Sequence, residues 1–394
     1  MPKPRRRLRH LTASALAIAL VCAVTTPVRA DPAASWPAAL STVDDDDVNV
    51  AFTGALTLRD PAWHRADQPA GGEGALLLPP HRLTRPANRI SAETVATVPP
   101  GAAVEVDVRG GGGEWTAAGT PLPGEVTEVQ VRITLHTAAG AAPAVSSVRL
   151  KADTVPAPRS ARGNAAASYR VFATREGLVG GKTANGHVIV ARDHFVAFPS
   201  RRGLSPKGTG DYTVRVCRAD RARCEYAPVW DVGPWNVRDD YWNPGAERQS
   251  WQDLAQGLPQ AQAAYQHGYN GGKDQYGRKV ANPAGIDLAD GTFWDGLKLS
   301  TNAWVDVTYL WTGGGVTGEV RTEGGPLNLR SGPGTGNPIV GFAANYAKVT
   351  IDCTVPGQHV TGAAGSSAQW DRIGDGHYVA RGYLRLTGGA PPPC

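Results

Sequence analysis

The chain has 394 residues and a formal net charge of +5 at pH 7. Its first 30 residues contain six basic residues and no acidic one, so subtracting these six charges from +5 leaves −1 for the remainder. The remainder lacks the basic excess of nucleic-acid-binding proteins, and we expect no nucleic-acid partner. The six residues are Lys3, Arg5, Arg6, Arg7, Arg9 and Arg29.

The N-terminus has the features of a secretory signal peptide. Basic residues precede an apolar run from Leu11 to Val24, and Val28-Arg29-Ala30 offers small residues at the cleavage positions. The apolar run is too short for an ordinary membrane span. We therefore predict that residues 1–30 are a signal peptide. The mature protein is expected to have no membrane span and to be secreted, either extracellular or associated with the cell wall.

The composition predicts a mostly β protein with more than one domain. The roughly 360 residues after the signal peptide exceed what one hydrophobic core normally organises. The chain contains 48 Gly and 31 Pro, with frequent Val and Thr. Turn formers and β-branched residues in this abundance, with few long amphipathic stretches, favour strands over helices.

Residues 31–47 are rich in Ala, Pro and Asp and end in the acidic run Asp44-Asp45-Asp46-Asp47. We interpret them as a solvated linker. Calcium binding is the alternative, but Ca²⁺ sites need spaced ligands from a shaped loop. We therefore predict no metal site here.

Residues 48–154 contain short runs in which apolar and polar residues alternate. Examples are Val104-Glu105-Val106-Asp107-Val108 and Val129-Gln130-Val131-Arg132-Ile133, with turn formers such as Pro99-Pro100-Gly101 between the runs. This pattern predicts a β-sandwich. The region resembles a sandwich domain of secreted actinobacterial hydrolases, which implies a jelly-roll-like architecture. Its role is either carbohydrate binding or spacing, and a linker follows at residues 155–167.

Five sequence blocks in the middle of the chain resemble a double-psi β-barrel. The resemblance is to rare lipoprotein A and the expansins, with glycoside hydrolase family 45 more distant. It covers residues 168–312 and implies a six-stranded barrel crossed by a polysaccharide groove. In chain order the blocks are Lys182–Gly186, Asp193–Pro199, Val229–Trp235, Gly285–Gly291 and Ala303–Tyr309.

The resemblance implies three catalytic residues. Asp231 matches the aspartate of the Asp-x-Gly-Pro block, and His194 falls where the family places the histidine ahead of its Leu-Pro turn, here Phe198-Pro199. Asp287 matches the aspartate of the Asp-Leu-Ser block, with Ala289 in place of serine. Glycosidic cleavage needs a proton on the leaving oxygen, and hydrolysis needs a second carboxylate. Asp231 would act as general acid/base, His194 would assist, and Asp287 would be the second carboxylate.

Each of these residues also has a structural interpretation. Asp231 could be a turn residue, and His194 could be a hydrogen-bonded residue in a strand. Asp287 could cap a short helix predicted from Gly291 to Leu297.

Aromatic and polar residues near the motifs are candidates for substrate binding. The segment between Trp235 and Ala284 is longer than in relatives, and it either extends the groove or packs against the barrel. We expect no cofactor. The substrate-binding candidates are Asn185, Trp230, Trp235, Tyr241, Trp242 and Tyr269.

Residues 318–388 resemble a bacterial SH3-like domain, followed by a tail at 389–394. The resemblance is carried by Leu327–Thr335, which contains an Arg-Ser-Gly-Pro turn, and by Trp370 and Tyr378. It implies an SH3-like barrel that binds peptidoglycan peptides. The alternative is that both aromatic residues are core residues and that the domain is a spacer.

Four cysteines remain after the signal peptide, which in an exported protein indicates two disulfides. Three connectivities are possible. Cys217 and Cys224 flank an apparent hairpin turn, so we predict that they pair and that Cys353 pairs with Cys394. A zinc site is disfavoured because no Cys-x-x-Cys spacing occurs.

The combined expectation is a secreted, monomeric cell-wall protein that binds wall polysaccharide, namely the peptidoglycan glycan strand. The resemblance leaves open whether it also cleaves that strand, as a lytic transglycosylase or as a glycoside hydrolase. The alternative is a non-catalytic, expansin-like protein that binds or loosens the wall. It would use the same groove without a tuned carboxyl group.

Overall fold

The computed structural model describes residues 34–65, 71–138, 140–156 and 165–394. The predicted signal peptide at 1–30 lies outside these residues, as do the start of the 31–47 linker and most of the 155–167 linker. The described chain is mostly β, as the sequence predicts. Among the described residues, no helix is long and apolar enough to cross a membrane.

Ten strands form two five-stranded antiparallel sheets at the N-terminal side. One sheet has the order β1-β10-β3-β2 with β6 also on β10, and the other has the order β4-β9-β7-β8 with β5 also on β9. The strands are β1 Ser35–Pro37, β2 Val50–Phe52, β3 Leu56–Leu58, β4 Gly72–Leu77, β5 His81–Ala87, β6 Arg89–Thr97, β7 Ala102–Gly110, β8 Thr116–Ala117, β9 Val126–Thr137 and β10 Ala144–Asp153.

The two sheets share one apolar core. Val129, Val131, Ile133 and Leu135 of β9 occupy alternate positions, so their side chains project to one face of the strand, and all four are buried. They pack in the same cluster as Leu150 of the other sheet. We refer to β1–β10 as the sandwich.

The sandwich begins earlier than the sequence predicts. Strand β1 lies inside the range interpreted as a linker, and it pairs with β10. Trp36 of β1 packs against the sandwich core and stacks on His81. The Ala- and Pro-rich composition of residues 31–47 gave no strand signal, because β1 has only three residues and Trp36 is its one large apolar side chain.

Six further strands close into a barrel. Strand β12 pairs with both β14 and β15, and the other pairings run β15-β11-β16-β13-β14. β11 is parallel to β15 and β12 is parallel to β14, whereas the other pairs are antiparallel. This closed, mixed barrel is compatible with the predicted double-psi barrel. Its strands are β11 Ser168–Glu176, β12 Val196–Phe198, β13 Thr213–Arg218, β14 Cys224–Val232, β15 Ala284–Ala289 and β16 Ala303–Tyr309.

The last eight strands pack beside the barrel. Strand β19 continues the barrel sheet through a parallel ladder with β14, followed by β18, β23, β22 and β21, while β20-β17-β24 form a separate sheet. Tyr226 of β14 is buried in the core of these strands. The strands are β17 Val316–Val320, β18 Leu327–Arg330, β19 Ile339–Ala343, β20 Lys348–Ile351, β21 Cys353–Gly362, β22 Gly365–Gly374, β23 His377–Ala380 and β24 Leu384–Thr387.

Helical structure is short. The helix α1, Gln260–His267, ends at Gly268, whose φ of 67° is left-handed and whose N–H donates to the carbonyls of Ala263 and Ala264. One π-helical turn spans Gly291–Gly296. Single 3₁₀ turns lie at Arg201–Gly203, Tyr269–Gly272, Leu310–Thr312 and Arg381–Tyr383.

Both predicted disulfides are confirmed. Cys217 and Cys224 are directly paired residues of β13 and β14, with Cα atoms 4.0 Å apart. Cys353 and Cys394 have Cα atoms 5.0 Å apart. The tail reaches Cys353 by pairing with β21, since the Thr354 N–H donates to Pro392 O and the Cys394 N–H donates to Thr354 O.

Candidate functional site

Asp231 and Asp287 lie in one row across three adjacent barrel strands. Ala197 of β12 pairs with Asp231 on one side and with Asp287 on the other. Directly paired residues project to the same face of a sheet, and neighbouring strands are about 4.8 Å apart. The two aspartate backbones are therefore on the order of 10 Å apart. Val196 and Phe198, on either side of Ala197, belong to the barrel core, so the row faces outward.

A break in strand register sets the position of Asp231. Val196 pairs with Val229, but the next residue, Ala197, pairs with Asp231, so Trp230 is the extra residue of a β-bulge. Bulges re-aim side chains and are frequent beside functional sites. Trp230 is buried on the bulge, and its indole N–H donates to Thr209 O at 2.8 Å.

The Asp231 carboxylate is covered by an arginine from the sandwich. Its Oδ1 accepts hydrogen bonds from Ala184 N at 2.7 Å, Val232 N at 2.8 Å and Arg65 Nη1 at 2.9 Å. Arg65 also donates to Val232 O. Asp231 is 2% exposed and Arg65 is 3% exposed. A substrate oxygen could reach Oδ1 only by displacing one of these three donors.

A second carboxylate, that of Glu73, lies near Arg65. Glu73 of β4 forms an ion pair with Arg201 and lies 4.0 Å from Arg65 Nε. Burial alone would raise the pKa of Glu73, but the nearby charges of Arg201 and Arg65 lower it below the usual range. Burial together with Arg201 lowers the pKa of His136 to about 4, despite the opposing charge of Glu73. His136 is therefore uncharged at neutral pH.

Asp287 is a strand residue and not a helix cap. It lies inside β15, half-buried, and its Oδ1 accepts a hydrogen bond from the hydroxyl of Thr174 on β11. Asp290 is the residue that directly precedes the Gly291–Gly296 turn. The capping interpretation of Asp287 therefore does not hold, because the chain stays extended for two more residues.

His194 belongs to a different cluster. Its Nδ1 lies 2.8 Å from Oε1 of Glu225, near the start of β14, and Thr292 Oγ1 donates to the same oxygen at 2.9 Å. Burial alone would lower the pKa of His194, but the charge and hydrogen bond of Glu225, with Asp295 and Asp193 nearby, raise it overall. Asp231 lies six positions after Glu225 on β14, which is about 20 Å along a strand. The structure thus places Asp231 and Asp287 in one row, whereas His194 lies in a separate cluster with Glu225.

Two important residues were missed in the sequence. Glu225 had a detectable signal, because it directly precedes the largely apolar run from Tyr226 to Trp230, and acids in buried strands are rare unless paired. Arg65 had none, since 166 residues separate it from Asp231 and it lies in no recognisable motif.

Tyr241 and Trp242 lie in the core rather than in a groove. Both are at most 1% exposed, the Tyr241 hydroxyl donates to Gly285 O at 2.8 Å, and the Trp242 indole donates to Glu114 Oε1 at 2.8 Å. This burial does not agree with the prediction that they bind substrate. It agrees with the alternative, that the segment between Trp235 and Ala284 packs against the barrel.

Three further substrate-binding candidates, Asn185, Trp235 and Tyr269, each donate a hydrogen bond within the protein. Asn185 is buried and donates to Ser205 O at 3.0 Å. Trp235 and Tyr269 are partly exposed, with the Trp235 indole donating to Asn282 at 3.1 Å and the Tyr269 hydroxyl donating to Asp253 at 2.9 Å.

The acidic run at the start of the sandwich is more structured than a solvated linker. Carboxylate oxygens of Asp44, Asp46 and Asp47 lie within 4.8 Å of one another, so they form the one group of potential metal ligands among the described residues. Asp47 Oδ1 also accepts from Leu77 N at 2.7 Å. Burial, with the neighbouring Asp44, Asp47 and Asp45, raises the pKa of Asp46 to about 7.

Comparison with known proteins finds a family model that matches the barrel, but the function of that family is unknown. Residues 167–308 match the sequence profile of a domain of unknown function, DUF8814. This range nearly coincides with strands β11–β16. The chain is also 42% identical over 52 residues to the uncharacterized protein YraJ of Bacillus subtilis (strain 168), which is 13% of this chain and 44% of that protein. The chain thus spans less than half the length of that curated relative. No solved structure matches the chain.

Proposed function

We propose that the protein is exported and binds a wall polysaccharide, the peptidoglycan glycan strand, without cleaving it. The observation that carries this choice is the state of Asp231. Its carboxylate is buried and bonded to a guanidinium from the sandwich, whereas a general acid must reach the leaving oxygen within hydrogen-bond distance. Export is supported by the two disulfides, which persist in oxidising compartments.

The family resemblance supports the choice of ligand. A closed six-stranded mixed barrel is compatible with the rare lipoprotein A and expansin type, whose members hold polysaccharides. The SH3-like resemblance of residues 318–388 adds a second contact with the wall, through peptidoglycan peptides. Both resemblances point to one insoluble polymer carrying glycan and peptide.

Cleavage of the same polymer is the second candidate, and the row of carboxylates favours it. Asp231 and Asp287 project from one face with backbones on the order of 10 Å apart. Side chains on such a spacing can bring two carboxylates to the separation of about 6.5–9.5 Å used by inverting glycosidases. This candidate requires Arg65 to leave Asp231 before the reaction.

Co-sedimentation with purified peptidoglycan sacculi tests the proposal. We expect the mature protein to sediment with the sacculi and the supernatant to gain no soluble glycan fragments. Failure to sediment above a non-binding control protein would overturn the proposal. Release of soluble fragments by the wild type, lost in Asp231→Asn, would replace binding with cleavage.

A further inference from the structure

A cleft of about 630 Å³ separates the sandwich from the segment between β14 and β15. Glu73, Glu105 and His136 line it from the sandwich, and Arg238, Trp251 and Tyr276 line it from the opposite side. Its volume lies within the range of about 300–1,000 Å³ that is usual for ligand sites, which are often found where domains meet. The cleft adjoins the covered Asp231, because Arg65 also lines it.

The arginines and glutamates of the cleft are each paired with a group of opposite charge. Glu73 pairs with Arg201, Glu105 pairs with Arg238, and Arg65 pairs with Asp231. Side chains bonded in this way are fixed in place, which reduces the ordering cost of ligand binding. They still offer oriented donors and acceptors, and the balance of charge disfavours an ion as the ligand.

An aromatic surface lies at the side of this polar cleft. Tyr276 is 42% exposed, and its backbone N–H donates to Asp274 Oδ1 at 2.9 Å, which fixes the turn that carries it. The guanidinium of Arg278 lies 5.1 Å from the Tyr276 ring centroid and supports the ring. Trp251 is partly exposed on the same side. Rings beside fixed hydrogen-bonding groups suit a ligand that is both flat-faced and rich in hydroxyl and amide groups.

We infer that this cleft binds a short segment of an uncharged, β-linked N-acetylhexosamine glycan, with Tyr276 as the stacking residue. The inference rests on the proposed function and locates its glycan-binding site away from the covered Asp231. The sugar faces would lie on Tyr276 and Trp251, while the paired arginines and glutamates would bond to hydroxyl and acetamido groups.

Calorimetric titration of the mature full-length protein with the β-1,4-linked N-acetylglucosamine tetramer tests this inference. Tyr276→Ala removes the stacking ring, and Tyr265→Ala is the matched control, because Tyr265 is 53% exposed on α1 and does not line the cleft. We expect Tyr276→Ala to weaken tetramer affinity by about tenfold or more, which corresponds to one lost aromatic contact. Tyr265→Ala should stay within about twofold, since exposed sites away from a ligand contribute little.

The outcomes separate the inference from the proposed function. Wild-type protein that sediments with sacculi but does not bind the tetramer would overturn the ligand assigned to the cleft. Equal tetramer affinity for wild type and Tyr276→Ala would overturn the site and leave wall binding intact. Failure to sediment with the sacculi would instead refute the proposed function, whether or not the tetramer binds. Equal melting temperatures for the two variants show that any difference in affinity is local.

Discussion

The two ends of strand β14 each bury a carboxylate, but the partners differ. Near the start of the strand, Glu225 pairs with His194 from within the barrel. Near its end, Asp231 pairs with Arg65 from the sandwich. The Glu225 side chain is 0% exposed and that of Asp231 is 3% exposed, so both pairs are removed from water.

The difference shows what each pair does. An arginine remains charged at any accessible pH, so Arg65 and Asp231 form a constant link between two parts of the chain. A histidine changes its charge near neutrality, so the pair of His194 and Glu225 depends on pH. One strand thus carries a permanent link at one end and a titratable contact at the other.

Breaking the permanent pair should give the largest effect. Asp231→Leu leaves the Arg65 charge buried without its carboxylate, and loss of one partner of a buried pair typically costs about 3–5 kcal/mol of unfolding free energy. Urea denaturation followed by tryptophan fluorescence measures this loss. Asp306→Ala is the control, because its partners Arg170 and Arg221 are 54% and 81% exposed, and it should change stability far less. A loss for Asp231→Leu no larger than that of the control would contradict the structural role of Asp231.

Neutralising the other carboxylate should have a smaller effect. Glu225→Gln keeps the shape of the side chain and one amide oxygen to accept from Thr292, but it removes the charge beside His194. We expect a loss of about 1–3 kcal/mol, which is typical of a weakened buried polar contact. The same denaturation experiment decides it. A variant as stable as the wild type at pH 6 would show that the pair contributes nothing.

The pH dependence of stability should distinguish the two ends. The folded-state pKa of His194 is raised above 6.5, since Glu225 outweighs the effect of burial. Its contribution is therefore complete below about pH 6.5 and is lost as the pH rises through the folded pKa. The stability difference between wild type and Glu225→Gln should shrink from pH 6 to pH 9, while that between wild type and Asp231→Leu should stay constant. A constant difference for Glu225→Gln would contradict the titration.

The sequence predicted the strands and disulfides well for physical reasons. Alternating apolar residues and turn formers determine a strand locally, and Cys217 and Cys224 flank a hairpin that brings them together. The resemblance also led to Asp231 and Asp287, which the structure brings to one row.

The partners of these residues could not be predicted in the same way. Successive residues of an extended chain project to opposite sides, so a shift of one position changes the face. His194 and Phe195 are consecutive residues with different partners. The ring of Phe195 stacks on Trp230 beside the bulge, whereas the ring of His194 contacts Glu225. Arg65 reaches Asp231 only through packing of the sandwich on the barrel, which no local sequence pattern specifies.

A double-mutant cycle of Arg65→Met and Asp231→Leu tests the central claim, that Asp231 is the buried partner of Arg65, most directly. Replacing both partners of a buried ion pair by apolar residues is often nearly neutral, whereas replacing one is costly. We therefore predict that the double variant loses at least about 2 kcal/mol less unfolding free energy than the sum of the two single variants. Additivity within about 0.5 kcal/mol would contradict the claim, because residues that do not interact add within that margin.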